Sequence, residues 1–148
     1  MAQISFDALV AKRAQREADR LKVGKIPVLG TDDYLLCRKP TEGKMMDLYG
    51  RFQAARSGTG DILSVVDDGL YHCCEQLQDP KLREAIGVKD PLDTVPALFD
   101  IPTRDTMGGD LFRFLGFIPS SESAEGGAGE DAKDDSGEDA APENPAKN

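Results

Sequence analysis

His72, Cys73 and Cys74 stand in succession, and their side chains are the ones in this chain best suited to metal or thiol chemistry. Consecutive residues on a helix point about 100° apart, whereas zinc ligands come as spaced pairs or residues one turn apart. The expected role of Cys73 and Cys74 is therefore that of small apolar residues on a buried face. His72 is the single histidine, so a Cys–His nucleophile would have to use it, and no companion motif supports one. Gly58-Thr59-Gly60 lacks the lysine and spacing of a phosphate-binding loop, and Gly24-Lys25 lacks the preceding glycine. Asp32-Asp33 fits a turn and Asp67-Asp68 a solvated helix face. The sequence predicts no catalytic residue, metal site or cofactor, hence no enzyme.

The elements that carry these residues follow from apolar spacing and caps. An amphipathic helix is expected over 5–22, with Ser5 as cap, a thin stripe of Phe6, Val10, Ala14, Ala18 and Leu21, and a basic face of Lys12, Arg13, Arg16, Arg20 and Lys22. That face is either solvated or available to an acidic partner or the chain's own tail. Tyr34 to Cys37 fits a short strand or an extended segment, with Ile26 to Leu29 as the candidate pairing partner. Pro40-Thr41 starts a second helix carrying Met45, Leu48, Tyr49 and Phe52. Thr59 or Asp61 starts the most apolar helix, with Ile62, Leu63, Val66, Leu70, Cys73, Cys74 and Leu77 in one stripe. Gly69 inside this central helix permits a close helix crossing.

Short helical units follow. Asp79-Pro80 opens one that stops at Gly87, and Asp90-Pro91 opens another with Leu92, Val95, Leu98 and Phe99, which Pro96 makes short, kinked or partly irregular. Thr103 is the expected cap of a last unit with Met107, Leu111, Phe114 and Leu115 on one face. Gly116 ends it, and Phe117 can fold back onto the last turn.

Residues 119–148 hold no Val, Ile, Leu, Met or aromatic residue. Nine acids against two lysines place −7 of the chain's net charge of −9 there. Ordering a backbone costs about 1–2 kcal/mol per residue, and this composition offers no burial in return, so a disordered acidic tail is expected. The expected organisation is a basic helix over 1–25, a globular helical domain over 26–118 and the tail over 119–148. The fold class is mainly α, a small bundle of short helices with a short extended segment near 26–38. Ten basic against fifteen acidic residues in 26–118 argue against nucleic acid. Neither a membrane span nor a signal peptide is evident, and three cysteines, two of them adjacent, fit a reducing compartment.

In order and spacing, Leu77, Asp79, Leu82, Gly87 and Val88, then Leu92 to Leu98, then Leu111, Leu115, Gly116 and Phe117 resemble the C-terminal half of XkdN-like tail assembly chaperones of tailed bacteriophages. Tyr34 to Tyr49 is similar to that family's N-terminal half. The basic helix and the acidic tail lie outside the resemblance, which covers roughly residues 30–118. The resemblance implies a non-catalytic assembly factor of the host cytoplasm, absent from the mature virion. Such a factor binds the tape measure protein and keeps it soluble while the tail tube protein, a second candidate partner, polymerises around it. Phe112, off the Met107–Leu111–Phe114–Leu115 face, and Phe117 are the candidate partner-binding residues, with packing of Phe112 on the central helix as the other reading. The competing function is an acidic interaction module, a head–tail scaffold component or regulator, acting through its tail.

Overall fold

The computed structural model describes residues 2–119. The chain divides into two compact units, Met1–Leu111 and Phe112–Asn148, with the boundary inside the last helix. The acidic tail beyond residue 119 lies outside the described residues.

In the first unit, α1 (Phe6–Arg20) begins where Ser5 accepts a hydrogen bond from the Ala8 amide at 3.1 Å. β1 (Val23–Pro27) and β2 (Tyr34–Arg38) then form an antiparallel hairpin in which Ile26 pairs with Leu35 and Gly24 with Cys37. Side chains alternate across a strand, so Ile26, Leu35 and Cys37 are buried while Lys25, Tyr34 and Leu36 face out. The strand pairing expected of Ile26 to Leu29 starts three residues earlier, at Val23.

Thr41 caps α2 (Glu42–Arg56) and Asp61 caps α3 (Ile62–Cys73), each by accepting a backbone amide hydrogen bond. Leu48 and Phe52 of α2 are buried with Val65, Val66, Leu70 and Cys73 of α3, so α3 is the central helix. It is shorter than expected. Cys74 leaves the helix in extended conformation, and Leu77 is buried from a separate 3-10 turn, Glu75–Gln78. Tyr49, assigned to the buried face from spacing, is exposed, as is Ile62.

The short units are where the Asp-Pro signals place them. Asp79 caps α4 (Pro80–Ile86), which Gly87 ends at φ +73°. Asp90 caps a 3-10 turn, Pro91–Asp93, that leads into the five-residue α5 (Thr94–Leu98). The last helix, α6 (Ile101–Leu115), departs from expectation at its start. Asp100, rather than Thr103, accepts the capping bond, from the Thr103 amide at 3.0 Å. Thr103 lies one turn inside because Pro102 fits the first turn, where its missing N–H has no role. Within the first unit α6 buries Met107 and Leu111, and its Gly108 lies directly against Val66.

In the second unit the described residues are the end of α6 and its cap. Gly116 is left-handed at φ +85°, and the Phe117 amide donates to the Phe112 carbonyl at 2.9 Å. This is the six-to-one bond of a Schellman motif, whose usual companion is an apolar contact between the same two positions. Here that contact is the stack of Phe112 on Phe117, with ring centroids 6.0 Å apart.

Candidate functional site

The densest set of polar side chains lies between α2 and α3. Lys44, Asp47 and Arg51 share one face of α2 by their spacing of three and four, and Asp68 and His72 are one turn apart on α3. Asp68 is only 6 % exposed. Its Oδ2 accepts from Lys44 Nζ at 2.8 Å and from Arg51, while His72 Nδ1 lies 2.7 Å from Oδ1. Asp47 draws on the same two cations, at 3.3 Å from Lys44 and 3.2 Å from Arg51. Neighbouring Asp67 is held by Arg104 of α6 at 2.8 Å. The solvated helix face expected of Asp67-Asp68 is therefore a correction. Adjacent positions point about 100° apart, and on the central helix both directions meet another helix.

Burial acting alone would raise the pKa of Asp68, but the hydrogen bonds from Lys44 and Arg51 outweigh it and hold the carboxyl below its ordinary range. Asp67 goes the other way: burial outweighs its bond to Arg104 and its pKa is raised. A carboxylate whose Oδ2 is held by two cations is a poor base, and its chemistry is that of a clasp joining two helices, while its buried Oδ1 accepts no hydrogen bond among the described residues. The hydrogen-bond partner of His72 Nδ1 is the Asp68 backbone carbonyl at 3.0 Å, with the carboxylate Oδ1 close by, and among the described residues no hydroxyl or thiol is hydrogen-bonded to the ring.

The three cysteines are buried. Cys37 of β2 and Cys74 just after α3 bring their Sγ atoms to 2.8 Å, joining hairpin to central helix. Burial pushes the Cys73 thiol up to about 12, and the hydrogen bond with Cys37, together with burial, raises that of Cys74. Such thiols are protonated at neutral pH and are weak nucleophiles. Among the described residues, no three His, Cys, Asp or Glu side chains gather as metal ligands.

Phe112 is 5 % exposed, so the exposed contact inferred from its position off the main face of α6 does not hold. The helix has a second buried edge, completed by Phe117 stacking back through the cap, and a stripe drawn from Met107, Leu111, Phe114 and Leu115 alone misses it. Phe117 is half-buried beside Phe112.

Open apolar surface is present elsewhere, on α1 among other elements. None of its residues is buried, and Phe6 and Val10 are 78 % and 57 % exposed, with Leu21 just beyond the helix at 77 %. Ion pairs tie the helix to the rest of its unit, the exposed Arg16 with Glu42 at 2.8 Å and the largely buried Lys39 with Asp19 at 3.6 Å. An exposed pair such as Arg16–Glu42 contributes about 0–1 kcal/mol. Among the described residues no helix is long and apolar enough to cross a membrane.

Fold and site together define a small, mainly helical protein with a charge-clasped core and one uncovered amphipathic helix. No protein-family model, curated protein or solved structure matches this chain.

Proposed function

We propose that this protein is a non-catalytic tail assembly chaperone of the XkdN-like kind, which binds a phage tape measure protein and keeps it soluble in the host cytoplasm until tail tube subunits surround it. The observation that carries the reading is the ordered series from Leu77 to Phe117, in which capped short helices and a terminal Gly-Phe follow an apolar helix. Two physical features support it. Its polar cluster is arranged to hold helices together, and part of its exposed apolar surface sits on a helix, the element that suits covering apolar helical stripes on a client.

The test is co-expression with a phage tape measure protein. The chaperone reading expects the long protein in the soluble fraction only when this chain is present, and an insoluble client in both cases rejects it. The acidic tail motivates the second reading, an interaction module acting through residues 120–148. Removing Ser120 to Asn148 separates the two, since a module loses its partner while a chaperone keeps its client soluble.

A further inference from the structure

The apolar stripe of α1 has a specific chemical edge. At about 100° per residue, Phe6, Val10, Ala14 and Leu21 form one stripe, and Arg13, Arg16 and Arg20 fall along a single side of it. Arg16 and Arg20 have acidic partners at Glu42 and Glu17, whereas Lys12 and Arg13 have none among the described residues. Ala14 and Ala18, along the border of the stripe away from the arginines, leave room for another backbone to approach.

We infer that α1 is a docking face for an amphipathic helix of another protein, one whose apolar stripe is bordered by acidic residues on the side that meets Arg13 and Arg20. Other occupants fit worse. The chain's own residues 119–148 match the charge but carry no large apolar side chain to cover Phe6 and Val10. A second copy in antiparallel pairing sets arginine edge against arginine edge, and in parallel pairing that edge meets the side bearing Asp7 alone. A membrane surface would draw the carboxylates of Glu17, within the stripe, and Asp7, at its far border, toward hydrocarbon. A helical partner tolerates them and offers shape to the alanine positions.

This inference deepens the chaperone reading by naming the capturing surface, and it rests on that reading only in identifying the partner as the client. The experiment uses the full chain and two synthetic helical peptides of about twenty residues with the same leucine stripe, one edged with glutamate and one with lysine. Fluorescence anisotropy is expected to show the glutamate peptide binding about tenfold or more tighter than the lysine peptide, with the difference shrinking as salt rises. Val10→Asp is expected to abolish binding with an unchanged thermal melt, because Val10 is exposed. Arg13→Glu combined with Arg20→Glu is expected to shift preference to the lysine peptide.

Equal binding of both peptides, or none by the wild type, overturns the inference. So does a Val10-dependent dimer in sedimentation, which assigns the face to a second copy, or binding to anionic phospholipid vesicles without peptide selectivity, which assigns it to a membrane. Failure here and failure of the chaperone reading are distinguishable. A chain that binds neither peptide yet keeps the tape measure protein soluble loses only the docking face, and one that selects the glutamate peptide but leaves that protein insoluble loses only the chaperone reading.

Discussion

A Cβ placed on Gly69 of α3 would lie 2.7 Å from Leu111 Cδ2 of α6, closer than packed carbon atoms approach. The same substitution would gain up to about 1 kcal/mol of helix propensity. Leu111 is fully buried, so its methyl group has nowhere to retreat, and overpacking costs about 1–3 kcal/mol. Gly69→Ala is therefore expected to lower stability by about 1 kcal/mol in urea unfolding, the difference between the two effects. Gly50, inside α2 with nothing within 4 Å of where an added methyl would sit, is the control. Gly50→Ala is expected to raise stability by about 0.5–1 kcal/mol, and a loss at both sites would rule out the crossing as the cause.

Gly108 extends the contrast. Its Cβ would meet Val66 Cγ2 at 2.5 Å, and a β-branched side chain has little rotamer freedom with which to yield. Gly108→Ala should cost more than Gly69→Ala, and Val66→Ala in the same chain should recover part of the loss. A simple sum of the two single losses would count against direct contact.

The ion clasp makes stability depend on pH. Asp68 has a folded pKa below its ordinary value of 3.8, so it binds its proton more weakly when folded than when unfolded. Its contribution is present above the unfolded pKa and is lost as pH falls through the folded one. Asp67, with a raised pKa, runs the opposite way: its contribution is full below the ordinary value and is lost as pH rises through the folded pKa. Asp68→Asn is expected to cost about 2–3 kcal/mol at pH 7, short of a fully buried pair because Lys44 and Arg51 still reach water and Asp47. It should also remove the part of the acid-side loss below pH about 4 that belongs to Asp68. An unchanged acid limb in the variant would show that Asp68 does not carry it.

At the end of α6 the Phe112–Phe117 stack and the left-handed Gly116 are separable. No atom lies within 4 Å of a Cβ on Gly116, so Gly116→Ala reports backbone strain alone and should cost about 1–2 kcal/mol. Phe112→Ala empties a buried site and should cost about 3 kcal/mol. Weakened capture of a partner by that variant therefore counts as a binding effect only at a temperature where circular dichroism shows the variant folded.

What the sequence made legible was mostly local. Ser5, Thr41, Asp61, Asp79 and Asp90 each place a short acceptor before a helical run, and each caps the turn it precedes. The Gly116–Phe117 cap was equally visible, since its signal is a glycine followed by an apolar residue. Burial that depends on tertiary neighbours was not. Asp67 and Asp68 carry the composition of a solvated helix face, and only the approach of α2 and α6 with Lys44, Arg51 and Arg104 buries them. Phe112 was misplaced for the same reason, because one face of spacing cannot reveal a second buried edge. The close approach at Gly69 was readable as a missing side chain inside an apolar stripe, whereas that of Gly108, beside Gly109 on a mixed face, had no comparable signal.

The thiols supply a last test, of the core rather than of a surface. Cys37, Cys73 and Cys74 are buried from three directions, by the inner face of the hairpin, by the central helix and by the link that follows it. Alkylation needs both access and thiolate, and with Cys73 pushed up to about 12 the ionised fraction at pH 7 is on the order of one in 10⁵. Iodoacetamide is thus expected to label none of the three in the native protein over hours. All three should react within minutes above the denaturation midpoint, when burial and the Cys37–Cys74 contact are lost together. Mass spectrometry across a urea series should show the three labels rising on one curve that coincides with loss of helix. Labelling of Cys74 ahead of the other two would mean that the link between α3 and the 3-10 turn opens on its own, and that hairpin and central helix do not form one cooperative unit.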